Sequence, residues 1–236
     1  MIRRFLRSIT LVALVAAPAA AGPETHTKTP SYQGTTARAP IPAAMHQRNT
    51  GGSDGAGLCV IASMVANGRY VGVPELAELW AAARDRPGGY SPLKFQLLVN
   101  EILPGEKWAS YEGRDPMILD RLSRQGYAIG ATMNTGELYG YRRIHHMVSL
   151  VHFDWDADLA CVVDNNEPGV YTWMKAREFV RRWIDGPEGW ALVWKRRPGL
   201  LMFARYLPLI PPTIYCAACV IAVALVLPEF RSPEAE

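Results

Sequence analysis

The chain has 236 residues, 49% of them hydrophobic, and a formal net charge of +3 at pH 7, which is enough for one globular domain with terminal additions. Three of its 25 basic residues, Arg3, Arg4 and Arg7, lie in an N-terminal segment whose pattern predicts removal, and the rest balance the 22 acidic residues. This composition excludes a wholly disordered chain, and a sequence without a basic stripe excludes nucleic acid as the expected partner.

The N-terminal residues have the layout of a secretory signal peptide. A basic start is followed by the apolar stretch Ile9–Ala17 and by small residues up to Ala21. This layout predicts a signal peptide over residues 1–22 with cleavage near Ala21. The next segment, residues 23–44, is rich in Thr, Pro, Ala and Ser and has no apolar period, so we expect a linker there.

Residues 45–198 have the pattern of a folded domain that begins with helices. The run Leu58–Ala66 is apolar on nearly every face, which predicts a helix buried all round that ends at Gly68. Prolines typical of a first helical turn predict three later helices. These prolines are Pro74, Pro92 and Pro116.

From Tyr127 the sequence changes to five strand-like runs: YAIGATM, HMVSLVHF, LACVV, VYTWM and WALVW. The turn-type cluster DWDAD joins the second run to the third and predicts a β-hairpin. Before the last strand, KAREFVRRWIDG predicts a short amphipathic helix. A helical half followed by a mostly antiparallel sheet is an α+β fold. Four tryptophans are expected to pack in its core: Trp173, Trp183, Trp190 and Trp194.

The C-terminal residues predict attachment to a membrane. Residues 199–236 include a run without charged side chains from 207 to 227, and a helix of that length would cross a bilayer core of ~30 Å. Pro208, Pro211 and Pro212 interrupt its first third. We therefore expect a hydrophobic, membrane-associated tail of open orientation. The oligomeric state is not indicated.

One cysteine occupies a position suited to chemistry. In GGSDGAGLCVIAS, Cys59 follows a glycine-rich run and begins the predicted buried helix, where the helix N-terminus favours the thiolate. Cys161 lies in a strand-like run, and Cys216 and Cys219 lie in the apolar tail. These positions predict neither a disulfide framework nor a metal site, because no further metal ligands are nearby, and no cofactor is expected.

The predicted hairpin supplies a base and a residue to orient it. A turn centred near residues 155–156 places His146 opposite Asp164 or Asn165 on the neighbouring strand. A histidine facing a carboxylate or amide is the base–orienter half of a catalytic triad. Asp164 is the first choice because a carboxylate holds an imidazolium more strongly; Asn165 is the alternative and Asn166 a weaker third.

Two other histidines compete for the role of base, and two amides for the stabilisation of an oxyanion. Strand alternation points His145 to the opposite face, and His152 lies six residues further along the strand, about 20 Å away. An acyl transfer also needs donors for the oxyanion. The backbone N–H of Cys59 is one candidate, and the side-chain amide of Gln47 is the other, with Asn49 as its rival.

Four stretches together resemble one family. GAGLCVIASMVANG, HHMVSLVHFD, ACVVDNNEPGVYTWMKAREFVRRW and GWALVW, within residues 45–194, resemble the papain-like cysteine peptidases, most of all the bacterial C39-like peptidase group. The resemblance implies a papain-like fold with Cys59 as nucleophile, His146 as general base and acid, and Asp164 as orienter. In that family an oxyanion glutamine lies about six residues before the cysteine, where this chain has Ser53.

Two classes of function are therefore expected. The first is a thiol hydrolase of peptide or isopeptide bonds with a Cys–His–Asp triad, exported to a bacterial cell envelope and acting on a peptide or protein substrate. The second is a non-catalytic peptide-binding or scaffolding domain on the same fold.

Overall fold

The computed structural model of this protein describes residues 35–136, 143–185 and 189–196. A short 3-10 helix, Ala43–Met45, is followed by five α-helices and six β-strands in these residues. They are α1 (Cys59–Val71), α2 (Leu76–Arg84), α3 (Pro92–Ile102), β1 (Trp108–Tyr111), α4 (Met117–Arg124), β2 (Ile129–Asn134), β3 (His145–Asp154), β4 (Leu159–Val163), β5 (Tyr171–Met174), α5 (Ala176–Asp185) and β6 (Ala191–Trp194). Helices precede most of the strands, as the α+β prediction requires.

The six strands form one sheet in the order β1-β6-β2-β3-β4-β5, and every neighbouring pair is antiparallel. The ten-residue strand β3 lies near the middle of the sheet and carries the HHMVSLVHFD run. The edge strand β1 was not predicted, because the four residues WASY are too short to show a strand period. Its pairing with β6 forms it.

Helix α1 is buried, as its apolar sequence predicts, and ten of its thirteen residues are buried. The indole N–H of Trp194 in β6 donates to the Met64 carbonyl at 2.7 Å and ties the helix to the sheet. The predicted end at Gly68 is wrong. The helix continues to Val71, and Gly72 ends it in a left-handed conformation (φ 74°), which glycine adopts without strain.

The core has two main clusters of apolar side chains. One joins α1, α2 and α3 to Met147 of β3 and Trp194 of β6, and the other joins α4 and α5 to the sheet. The prediction that the tryptophans are core residues is confirmed. Trp173, Trp183, Trp190 and Trp194 are all buried.

The segment predicted as a linker is folded over its last ten residues. Ala39 and Ile41 are fully buried, and the Ala39 N–H donates to the Val151 carbonyl at 2.8 Å. The Arg38 guanidinium pairs with Asp154. The folded domain therefore begins before Met45, because these apolar side chains complete a third core cluster against β3, β4 and β5.

The β3–β4 hairpin forms with a different register from the predicted one. Asp154 pairs with Leu159, two to three residues further along than predicted, and a bulge interrupts the ladder between Leu150 and His152. The bulge is stabilised by the N-terminal segment, since the carbonyl of Val151 accepts from Ala39. Neither the bulge nor the hydrogen bond from Ala39 can be recognised from a local sequence pattern.

No helix among the described residues is long and apolar enough to cross a membrane. The predicted signal peptide, residues 1–22, and the predicted tail, residues 199–236, lie outside the described residues.

Candidate active site

Cys59 is the first residue of α1 and is half-buried. The exposed glycine loop before it folds back on itself, with Gly51 opposite Gly57 and the Gly52 N–H donating to the Ala56 carbonyl at 2.9 Å. The thiol therefore begins a buried helix directly after a loop of mostly small side chains. This is the placement that the sequence pattern predicts.

A second glycine loop, not identified from the sequence, packs on the first. The Gly88 N–H donates to Asp54 Oδ1 at 2.7 Å, and the Gly89 N–H donates to the Gly57 carbonyl at 3.0 Å. A Cβ at Gly88 would lie 1.9 Å from the Ala56 carbonyl oxygen, so only glycine fits. The RPGGY stretch could have indicated this loop in the sequence, but such a stretch predicts only a turn and not its packing partner.

His146 and Asp164 meet where β3 begins and β4 has just ended. His146 Nε2 lies 2.8 Å from Asp164 Oδ1, and the imidazole is 5% exposed. The same carboxylate oxygen accepts the Asn166 N–H at 2.8 Å, which folds the loop after β4 back toward the imidazole. A carboxylate held in this way fixes both the tautomer and the orientation of the ring.

The Cys59 thiol is the other polar neighbour of the imidazole, and each of the two groups shifts the pKa of the other. Nε2 of the imidazole faces Asp164, so Nδ1 is the ring nitrogen available to the Cys59 sulfur. Burial alone would raise the pKa of Cys59, but the hydrogen bond and charge of His146 outweigh it. The backbone N–H groups of Met147 and Val60 add to this effect, and the net result is a lowered pKa.

The histidine shows the complementary shift. Burial alone would lower the pKa of His146, but hydrogen bonds to Asp164 and to Cys59, with the charges of both, raise it to about 9. A thiol whose pKa falls beside an imidazole whose pKa rises favours the thiolate–imidazolium pair. That pair is the reactive state of a cysteine nucleophile.

Asn165, the predicted alternative orienter, points away from the imidazole. Its Nδ2 lies 3.0 Å from the Cys59 carbonyl, 2.8 Å from Ser63 Oγ and 2.8 Å from the Met147 carbonyl. The side chain is a buried clamp that joins the first turn of α1 to β3. Ser63 was not identified from the sequence, although it follows the cysteine by one helical turn.

The structure does not bring Gln47 to the site. Its Oε1 accepts from Arg69 at 2.9 Å, and Arg69 is ten residues beyond Cys59 on the same helix, which is about 15 Å. The guanidinium also donates to the backbone around it and holds the segment there. These contacts argue against Gln47 as an oxyanion donor.

Its rival, Asn49, lies beside the nucleophile. Asn49 Oδ1 accepts the N–H of Leu58, the residue before Cys59, at 2.9 Å. Its Nδ2 donates to Asn166 Oδ1 at 2.9 Å. The Asn49 amide thus lies between the start of α1 and the loop that carries Asp164.

The other histidines of the strand are not beside the thiol. His145 is exposed, and its charged neighbours are Arg143 and Asp185. His152 is buried with its ring 5.2 Å from that of Trp173, and its Nδ1 has no hydrogen-bond partner among the described residues.

Within the described ranges, no group of three or more His, Cys, Asp or Glu side chains could hold a metal ion. Cys161 is fully buried, and burial raises the pKa of its thiol. It is therefore a core residue and a poor nucleophile. Cys216 and Cys219 lie outside the described residues.

No protein-family model and no curated protein matches the chain. Among solved structures it is similar to the crystal structure of a candidate C39-like peptidase from Bacillus anthracis, with 14% sequence identity over 59% of this chain and 89% of that chain. The TM-score is 0.44. These values establish no shared activity, so the chemistry of the site is judged from its own contacts.

Proposed function

We propose that the protein is a thiol hydrolase of peptide or isopeptide bonds, with Cys59 as nucleophile, His146 as general base and acid, and Asp164 as orienter. The observation that carries this proposal is the 2.8 Å contact of the His146 imidazole with Asp164, beside a Cys59 thiol whose pKa is lowered by that imidazole while the pKa of His146 is raised. The order of the three residues in the chain, and a buried nucleophile helix packed on an antiparallel sheet, support a papain-like architecture.

The groups of the site are sufficient for a two-step hydrolysis. The thiolate of Cys59 attacks the substrate carbonyl carbon, and the carbonyl oxygen takes the negative charge. His146 Nδ1–H protonates the departing amine as the C–N bond breaks, which leaves an S-acyl cysteine and a neutral imidazole. The imidazole then removes a proton from water, and the resulting hydroxide attacks the thioester. Release of the carboxylic acid restores thiolate and imidazolium.

The oxyanion of both steps needs hydrogen-bond donors fixed in advance. The Cys59 N–H at the start of α1 is one donor. In place of Gln47 we assign the second to Asn49, because its amide is held against Leu58 and carries a second Nδ2 hydrogen beyond the one given to Asn166.

The approach to the thiol suits an extended polypeptide. The loops around Gly57 and Gly89 are exposed and held against each other by the Gly89 N–H, so a substrate backbone can come close to Cys59 without meeting large side chains. We also retain the proposal of an exported protein attached to a bacterial envelope through residues 199–236.

Covalent labelling of the full-length protein tests the proposal. Iodoacetamide alkylates a thiolate, and p-nitrophenyl acetate acylates it with release of p-nitrophenolate. Labelling read out residue by residue by mass spectrometry separates Cys59 from the other three cysteines. We expect fast labelling of Cys59 at pH 7 that Cys59→Ala abolishes.

The alternative of a non-catalytic binding domain predicts a different result. If Cys59 is labelled no faster than an ordinary exposed thiol and wild type releases no p-nitrophenolate burst, the hydrolase proposal is wrong. The binding or scaffolding function would then be favoured.

A further inference from the structure

Asn166 is an exposed residue whose polar groups all have neighbours. Its N–H donates to Asp164 Oδ1 at 2.8 Å, and its carbonyl accepts from Arg48 Nη1 at 2.9 Å. Its side-chain oxygen accepts from Asn49 at 2.9 Å, and its Nδ2 lies 3.4 Å from His146 Nε2. One side chain thus contacts both the proposed base and the proposed oxyanion donor.

The loop before α1 and the loop after β4 run side by side at this point. The Asn49 N–H donates to the Asn165 carbonyl at 2.7 Å, in addition to the side-chain bond between Asn49 and Asn166. Asn49 in turn accepts from Leu58. A chain of hydrogen bonds therefore leads from the residue before the nucleophile, through two amides, to the loop that carries Asp164.

The Asn166 side chain is not needed to hold the fold together. The buried joining of α1 to β3 is made by Asn165, and the contacts of Asn166 with Asp164 and Arg48 use its backbone. Among the described residues, the polar contacts of its side chain are those with His146 and Asn49. Removal of the Asn166 side chain should therefore change the chemistry of the site.

We infer that Asn166 is a positioning residue for the oxyanion donor, an inference that rests on the proposed function. Leu58 holds the Asn49 amide at Oδ1, and Asn166 holds it at Nδ2, so the plane of that amide is fixed at both ends. The remaining Nδ2 hydrogen is then kept in one direction before the substrate arrives. A donor fixed in advance stabilises the oxyanion more than one that must reorient.

A comparison of two reagents on the full-length protein tests this inference. Acylation by p-nitrophenyl acetate passes through an oxyanion, whereas alkylation by iodoacetamide is a displacement at saturated carbon and does not. We expect Asn166→Ala to slow acylation of Cys59 about 10-fold, which is less than the loss of a whole oxyanion donor. Alkylation by iodoacetamide is expected to stay within about 2-fold, because the thiolate–imidazolium pair persists.

Three variants sharpen the test. Asn166→Asp keeps an acceptor for Asn49 and is expected to restore most of the acylation rate. Asn49→Ala/Asn166→Ala is expected to acylate no more slowly than Asn49→Ala, since residues that act as a unit are not additive. Gln47→Ala, another amide of the same loop, serves as the matched control and is expected to behave as wild type.

The outcomes separate this inference from the proposed function. If Asn166→Ala is acylated as fast as wild type, the positioning role alone is overturned. The same holds if the double variant is acylated about 10-fold more slowly than Asn49→Ala. A wild-type protein whose Cys59 is not acylated at all would overturn the hydrolase proposal, and the role of Asn166 with it.

Discussion

The two sides of the candidate site are held in different ways. His146 lies on the central strand β3, and Asp164 follows directly after its neighbour β4, in a turn closed by the Asn166 N–H that brings the carboxylate to the imidazole. Asn49 lies in a loop, and in the part of the chain that the structure describes it is held by single hydrogen bonds to Leu58, Asn165 and Asn166. The base is therefore held by a strand of the sheet, whereas the position of the oxyanion donor depends on loop hydrogen bonds that single substitutions can remove.

The largest effect is expected on the sheet side. His146→Ala removes the general base and acid and the charge that lowers the pKa of Cys59, so acylation by p-nitrophenyl acetate should fall about 10³-fold at pH 7. His145→Ala is the matched control, because this exposed neighbour lies beside Arg143 and Asp185 instead. Equal rates in the two variants would contradict the assignment of the base.

The next largest effect is expected on the loop side. Asn49→Ala should slow acylation about 10²-fold, which is the usual loss for one oxyanion donor. Iodoacetamide alkylation should change little, and Gln47→Ala should change neither rate. If Gln47→Ala is the slower variant, the oxyanion donor has been assigned to the wrong amide.

A pH profile sharpens the role of Asp164. Hydrolysis needs the Cys59 thiolate, so the acid limb of the profile lies below the ordinary thiol pKa of 9.0. It also needs the His146 proton, which is lost as pH rises through about 9. Asp164→Asn removes the charge that stabilises the imidazolium, so the alkaline limb should move to lower pH, with about a 10-fold loss of rate at the optimum. An unmoved alkaline limb would show that Asp164 does not act through the imidazole.

The two neighbouring asparagines are expected to give a clear contrast in stability. Asn165→Ala removes a buried donor from three acceptors and should lower the free energy of unfolding by about 2 kcal/mol in urea titrations. Asn166→Ala changes an exposed side chain and should stay within about 0.5 kcal/mol. Similar losses in the two variants would mean that Asn166 also supports the fold.

The pairing of His146 with Asp164 could be predicted from the sequence, although the register from which it was predicted is not the observed one. Alternation and the DWDAD turn locate the hairpin, and the structure places the predicted Asp164 beside His146. The predicted register is wrong, because the observed Ser149–Val163 pairing, continued, puts Asn166 opposite His146. Asp164 reaches the imidazole because its own carboxylate accepts the Asn166 N–H and turns the chain back. A bulge and a turn of this kind leave no period in the sequence.

The loop side could be predicted only as a set of alternatives. Gln47 and Asn49 are both amides before the glycine run, and spacing along the chain does not decide between them. The decision is made by contacts distant in sequence: Arg69 holds Gln47, while Asn165 and Asn166 hold Asn49. A signal available in the sequence was that Ser53 stands where the peptidases it resembles have a glutamine, and this signal does not identify the donor.

The folded segment before Met45 has a practical consequence for chemical labelling. Ala39 and Ile41 belong to the same apolar cluster as Cys161, which is fully buried. Because the segment forms part of the cluster that buries Cys161, we expect its detachment to raise the labelling rate of Cys161. Labelling of Cys59 would then report the ionisation of the site, and labelling of Cys161 would report whether the N-terminal segment is packed in place.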